Sequence, residues 1–164
     1  MILIGLGANL PGPGGATAHE NLLKALQSLG QKDIKVQGVS PFYKSAPVPA
    51  SDQPWFVNAV AEIETPLTPG VLLEILHAIE EEMGRTRRIK NQARIIDLDL
   101  LDYNGRVLAG GSGGLALPHP RMHLRHFVLQ PLCDLAPGWR HPVSGKTAAE
   151  LLAELPEEGR ALLL

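Results

Sequence analysis

The chain has 164 residues, 45% of them hydrophobic, enough for one domain spanning 1–164 with a real core. A formal net charge of −2 excludes both a disordered charged tail and a globally basic nucleic-acid binder, so any polyanion site must be local. The single cysteine, Cys133, has no partner for an intrachain disulfide or a zinc ribbon, which suits a reduced protein of the cytoplasm.

The opening stretch MILIGLGANL lacks a basic leader and is too short to cross a bilayer, so residues 2–8 read as a first strand. NLPGPGG is loop by its proline and glycine content. Thr17 and Glu20 form a capping box for a helix whose apolar face is Leu22, Leu23, Leu26 and Leu29, with Gly30 at the C-terminal cap. A second strand is expected from Ile34 to Tyr43, followed by the proline-stiffened loop KSAPVPASDQP. In WFVNAVAEIE, Trp55, Val57, Ala59, Ala61 and Ile63 share one face of a third strand, and Phe56, Asn58, Val60 and Glu62 share the other.

Thr68 as cap and Pro69 at the first helical position begin a second helix running through Met83 to Gly84. The basic stretch RTRRIKNQAR leads into the strand RIIDLDLLDY, and Asn104-Gly105 predicts a hairpin that returns Val107 and Leu108 antiparallel to it. GGSGG is a flexible link, PHPRMHLRHFVLQPLCDLAP is helical in pattern but interrupted by Pro131, and Thr147 with Glu150 caps a short last helix. The order of elements predicts an α+β fold: a ferredoxin-like β-α-β-β-α-β core with an added β-hairpin and C-terminal helices, the helices on one face of a largely antiparallel sheet.

Aspartate is a poor strand former, yet Asp97 and Asp99 stand two apart in an apolar strand, on one face and roughly 7 Å apart along the backbone. Ile96, Leu98 and Leu100 then fill the core face. Paired hard oxygens suit Mg²⁺, which takes one or two carboxylates together with substrate phosphates. A solvated strand face would carry the same pattern. The basic cluster Arg85, Arg87, Arg88, Lys90 and Arg94 just upstream points instead to a metal-nucleotide site, since guanidinium forks match phosphate oxygens.

Glu80 falls inside the apolar arc of its helix and needs a partner, either a ligand or a neighbour such as Arg85. His119 and His123 have i, i+4 spacing, but Pro120 interrupts the helix between them and no third ligand follows, so zinc is disfavoured. GLGANL lacks the third glycine of a dinucleotide fingerprint, and no Gly-Lys-Ser/Thr phosphate loop occurs.

FYKSAPV through DQPWFVNAV, EEEMGRTR, RIIDLDLL and PHPRMHLRHFVL, in that order, resemble the 6-hydroxymethyl-7,8-dihydropterin pyrophosphokinase family over most of the chain. The resemblance implies transfer of pyrophosphate from ATP to the pterin hydroxymethyl group in folate biosynthesis, by a cytoplasmic monomer with no nucleic-acid or membrane partner. It implies two Mg²⁺ ions on Asp97 and Asp99, with Arg94 and Arg87 completing the catalytic set. The pterin would meet Gly7, Ser45, Ala46, Pro47, Val48, Phe56, Asn58 and Phe127. ATP would meet His77, Glu80, Arg87, Arg94, Leu100, His119 and Arg125, while Arg85 matches a structural arginine.

Some residues depart from the family pattern. Gln92 and Ala93 precede Arg94 where a Gly-Pro-like pair is usual, the basic loop is about one residue shorter, Phe56 replaces a common tyrosine, and Pro120 stands where an aromatic often follows the histidine. Two other functions use the same features: an RNA-binding sheet, against which the 4% aromatic content argues, and another metal-dependent phosphotransferase acting on a different acceptor.

Overall fold

The computed structural model describes residues 1–84, 93–111 and 114–164. Within them the strands are β1 (Ile2–Ala8), β2 (Lys35–Val39), β3 (Tyr43–Ser45), β4 (Phe56–Glu64), β5 (Asp97–Tyr103), β6 (Leu108–Ala109), β7 (Ala116–Leu117) and β8 (Leu162–Leu163). The helices are α1 (Ala18–Gly30), α2 (Pro69–Glu82), α3 (His126–Leu135) and α4 (Ala148–Ala153). The fold is mixed α/β. Its main sheet runs β5-β1-β4-β3-β8, with β2 also pairing β4, and every pairing is antiparallel.

Local chemistry sets the helix starts as expected. Thr17 and Thr147 each complete a reciprocal capping box, with Glu20 and Glu150, and Thr68 caps α2 ahead of Pro69. At the other end of α1, Gly30 is the last helical residue and Gln31 takes the cap in an ordinary right-handed conformation, so the glycine's freedom goes unused. Leu23 faces out and is 42% exposed.

Two cores sandwich the sheet, which corrects the expectation of helices on one face. Ile4, Leu6, Ala59, Ala61, Leu98 and Leu100 meet α1 and α2. Leu3, Val60 and Leu101 meet α3, α4 and Trp139 on the other side. The central strands β1 and β4 are apolar on both faces, and a sheet with two apolar faces must be covered twice.

The strand expected over Ile34–Tyr43 is split, because Pro41 cannot donate to a ladder and separates β2 from β3. Trp55 precedes β4 and is 50% exposed instead of sharing its face. Pro131 lies buried inside α3, whose Val128, Leu129 and Leu132 anchor it through the lost backbone bond. Asn104 and Gly105 take left-handed conformations and Arg106 N–H closes the turn on Tyr103 O at 3.0 Å, but β6 pairs with β7 and not with β5. The free edge of β5 is taken by other donors and acceptors: His119 N–H reaches Leu101 O at 2.8 Å, and Glu80 accepts from Leu98 N–H at 3.2 Å.

A bulge in β5 sets which of its side chains face where. Leu3 pairs with Asp102 and Ile4 with Leu100, so Leu101 is extra and joins the second core. Asp102 is buried there and accepts from Trp139 Nε1 at 2.7 Å and Gly105 N–H at 3.0 Å. Among the described residues no helix is long and apolar enough to cross a membrane.

Beside Trp139, burial and the neighbouring His123 push the His141 imidazole below its ordinary range. Its Nδ1 accepts from Val143 and Ser144 N–H, both at 3.2 Å, so the proton sits on Nε2. A depressed folded pKa means that the unfolded chain binds the extra proton first. This contribution to stability is therefore complete above about pH 6.5 and is lost as pH falls through the folded value. Urea melts at pH 7.5 and 5 should show a smaller acid loss in His141→Asn, whose carbonyl can accept the same backbone bonds without titrating.

Candidate active site

The register of the sheet places the two aspartates beside two glycines. Asp97 is paired across β1 with Gly7, and Gly7 across β4 with Asn58; Asp99 is paired with Gly5. Directly paired residues share a face, so one row reads Asp97, Gly7, Asn58 over a span of roughly 10 Å. Without side chains at Gly5 and Gly7, the sheet opens into a cavity of about 540 Å³. Its walls are the Ser45–Pro49 loop, Phe56 and the turn from Arg121 to Val128 that begins α3.

At the Asp end, charges alternate. Arg94 reaches Asp97 at 2.7 Å and Arg125 reaches Asp99 at 3.6 Å. Burial draws the Arg125 guanidinium below its ordinary value, against the pull of Asp99, and its carbon sits 5.4 Å from the centre of the Phe127 ring. Partly buried arginines beside partly buried carboxylates form a site suited to an anion that arrives with its own cation. Burial, with Arg125 and Arg121 nearby, also lowers the His119 imidazole to about 4. At neutral pH His119 is therefore uncharged, and because its Nδ1 accepts from Arg121 N–H at 3.1 Å, Nε2 keeps the proton as a donor.

At the opposite end the groups are neutral. Asn58 is buried and donates through Nδ2 to Ser45 Oγ at 2.8 Å, leaving its carbonyl toward Gly7. A Cβ on Gly7 would lie 3.2 Å from that oxygen. Gly7→Ala should therefore displace the Asn58 carbonyl, raising the KM for a ligand bound there about tenfold with little change in the KM of a ligand held at the arginines. Steady-state kinetics with each substrate varied in turn would reveal this.

Asn9, in GLGANL, joins the two ends. Its Oδ1 accepts from Arg94 N–H at 2.8 Å, its Nδ2 donates to Gln53 Oε1 at 3.1 Å and Pro54 O at 3.0 Å, and its own N–H bonds Arg94 O at 3.0 Å. Arg94 and the loop before β4 are thus held by one buried side chain. Sequence reading missed this role, although a lone amide directly after an apolar strand was its signal.

Of the residues expected from the sequence, Asp97, Asp99, Arg94, Arg125, Gly7, Ser45, Ala46, Pro47, Val48, Phe56, Asn58 and Phe127 all line this one cavity. His77, Glu80, Leu100 and His119 do not. Leu100 is buried in the first core, Glu80 has no exposed surface, and His77 lies on α2. Arg85, Arg87, Arg88 and Lys90 lie outside the described residues, as does the middle of GGSGG. Gln53, Arg121, Leu124, His126, Glu158 and Gly159 also line the cavity without having been expected.

The donor set fits Mg²⁺ carried with a nucleotide. Asp97 and Asp99 line the cavity and bring hard oxygens to it, and among the described residues no group of three or more His, Cys, Asp or Glu side chains forms an all-protein cage. Two carboxylates with substrate oxygens completing the shell is the arrangement magnesium prefers.

Comparison with known proteins agrees with this geometry. Residues 3–137 match the family model for 7,8-dihydro-6-hydroxymethylpterin-pyrophosphokinase (HPPK). The chain is 41% identical to the 2-amino-4-hydroxy-6-hydroxymethyldihydropteridine pyrophosphokinase of Pseudomonas aeruginosa, over 96% of this chain and 93% of that one. It is 38% identical to the protein of the same name from Synechocystis, over 93% of this chain and 75% of the relative. It is also 38% identical to the folic acid synthesis protein fol1 of Pneumocystis carinii, covering 94% of this chain but only 20% of that much longer protein. In fold it is similar to wild-type Plasmodium falciparum HPPK-DHPS with pteroate, with a TM-score of 0.70 at 15% identity, over 93% of this chain and 43% of the other. On the family match and the bacterial relatives, this chain belongs to the 7,8-dihydro-6-hydroxymethylpterin-pyrophosphokinase family of pyrophosphokinase enzymes.

Proposed function

We propose that the chain transfers the β,γ-pyrophosphoryl group of ATP to the hydroxymethyl oxygen of 6-hydroxymethyl-7,8-dihydropterin, releasing AMP. The observation that carries this reading is the row Asp97, Gly7, Asn58, which sets a charged phosphate end and a neutral amide end in a single cavity. Phe56 and Phe127 line the same space and offer faces for a flat heteroaromatic ring, with the Asn58 carbonyl as partner for a ring N–H. Ser45 orients that amide, and the stretch from Ala46 to Val48 closes the ring's far side.

Asp97 and Asp99 would hold two Mg²⁺ ions. Bound there, the ions would neutralise the triphosphate and make the pterin hydroxyl more acidic. Arg94 and Arg125 would exchange their carboxylate partners for phosphate oxygens as ATP enters, and His119 would donate from Nε2. The hydroxymethyl oxygen forms a bond to the β-phosphorus while the bond from that phosphorus to the AMP oxygen breaks, and the hydroxyl proton passes to solvent. Placement and charge neutralisation account for such a transfer, so no general base is required. Arg87, His77, Glu80 and Leu100 belong to the ATP side of this proposal by resemblance; Glu80 and Leu100 would act through β5, which they support.

The strand order also supports reading the core as ferredoxin-like, since β1, β2, β4 and β5 take the places of the four strands of a β-α-β-β-α-β unit. We take 1–164 as one pyrophosphokinase domain acting as a cytoplasmic monomer, because a single chain supplies both ends of the cavity. The test is product analysis: AMP and pterin diphosphate should appear in equal amounts, and only with Mg²⁺ and the hydroxymethyl pterin both present. ADP as product, or AMP released without the pterin, would sink the reading.

A further inference from the structure

Of the turn from Arg121 to Val128, only Met122 and His123 do not line the cavity. Met122 has no exposed surface and packs into the second core. His123 meets the buried His141, with ring centres 5.6 Å apart and the rings edge to face at 71°. Two buried ring nitrogens are left over there: His123 Nδ1 and His141 Nε2 have no hydrogen-bond partner among the described residues. Their protonation states are complementary. His141 Nδ1 accepts from Val143 and Ser144 N–H, so Nε2 carries the proton and needs an acceptor. A neutral His123 with its own proton on Nε2 offers Nδ1 as that acceptor. A metal ion does not suit the gap, because coordination at His141 Nε2 would send the proton to Nδ1, against two backbone donors. Among the described residues no third His, Cys, Asp or Glu joins the pair.

The other titratable and charged groups around the pair are engaged elsewhere. On β5, Asp102 accepts from Trp139 Nε1 and Gly105 N–H. Beside His141, Arg140 reaches Gly145 O and Lys146 pairs with Glu154. The turn packs against α3 and α4. On α3, His126 Nε2 meets Pro156 O, Asp134 accepts from the Tyr43 hydroxyl, and Cys133 is a partly buried thiol. On α4, Glu150 accepts from Thr147 N–H. Arg121 N–H is held by His119 Nδ1, and Arg125 lies at Asp99. What His123 holds is the phosphate side of the turn. Arg125 N–H closes the single helical turn Met122–Leu124 on Met122 O at 3.3 Å, so its backbone follows His123. Phe127 belongs instead to α3, which Val128, Leu129 and Leu132 anchor independently.

We propose that His123 and His141 are positioning residues: His141 Nε2–H hydrogen-bonds to His123 Nδ1, directly or through one shared water, and the bond keeps Arg121 and Arg125 set for the phosphates. A proton on His123 Nδ1 turns that atom into a second donor and breaks the bond, so nucleotide affinity falls with acid through a pair that never touches the nucleotide. This rests on the function proposed above. The test is calorimetric titration of the full chain with a nonhydrolysable ATP analogue and Mg²⁺ and then, with the analogue saturating, with 6-hydroxymethylpterin. At pH 7.5, His123→Leu should weaken the analogue about fivefold and leave the pterin within about twofold. His141→Asn, which keeps an acceptor for Val143 and Ser144, should do the same, and the double variant should bind no more weakly than either single one. His123→Gln, whose carbonyl accepts without titrating, should match wild type at pH 7.5 and bind the analogue about threefold more tightly than wild type at pH 5.5. Full analogue affinity in His123→Leu, equal weakening of both ligands, additive losses in the double variant, or the same acid loss in His123→Gln as in wild type overturns the role of the pair and leaves the function standing. A wild-type chain that binds neither ligand overturns both.

Discussion

Asp97→Ala and Asp99→Ala are each expected to reduce AMP release about 10³-fold or more while the protein stays folded. Each carboxylate faces the cavity from a strand whose other face is packed, so its removal takes a ligand from the proposed metal site and leaves the core untouched. Loss of about 4 kcal/mol of transition-state charge stabilisation corresponds to that factor. Stability should change by under about 1 kcal/mol, because the ion pairs with Arg94 and Arg125 are partly solvated and the two acids repel each other when no cation is bound. Single-turnover assays alongside urea melts would separate the two effects. A variant retaining activity within tenfold of wild type would remove its aspartate from the catalytic set.

Glu80→Ala is expected to have the opposite signature, a large loss of stability. Glu80 has no exposed surface, and its carboxylate accepts from Leu98 N–H at the edge of β5, midway between the two aspartates. Alanine would leave a buried donor without that acceptor and a void beside Leu76 and Ile79, together costing about 2–4 kcal/mol. At roughly 2–4 °C per kcal/mol for a domain of this size, Tm should fall by about 4–16 °C. Glu80→Gln, which keeps a carbonyl of the same reach, should lose less than half as much. A Tm within 1 °C of wild type in Glu80→Ala would mean that the edge of β5 does not depend on this carboxylate. Activity in Glu80→Ala should fall less than in the aspartate variants when assayed well below its Tm, since Glu80 supports the strand without lining the cavity.

Local rules could be read directly from the residues. The three threonine caps, the turn at Asn104-Gly105, and the alternation that sends Leu98 and Leu100 inward and Asp97 and Asp99 outward each depend on residues close together in the chain. The likeness to the family carried the reading across the chain to Ser45, Asn58, Phe56 and Phe127, which do share the cavity with the aspartates. The apolar residues on both faces of β1 and β4 were equally visible, but which segments would cover the second face depended on where α3 and α4 came to rest.

What lay beyond sequence reading involves groups that meet only after the chain folds. No local pattern indicates that β6 would leave β5 for β7, because the competing groups, the His119 N–H donor and the Glu80 carboxylate acceptor, reach that edge from distant segments. Asn9 tying Arg94 to Pro54, and Glu158 returning to the mouth of the cavity beside Pro47, likewise bring together residues far apart in the chain. The sequence by itself determined the chemistry on offer, two acids on one face of a strand with arginines at hand. Tertiary structure decided which of those groups share one cavity, because backbone hydrogen bonding fixes only near neighbours, whereas burial of two apolar sheet faces brings the distant segments together.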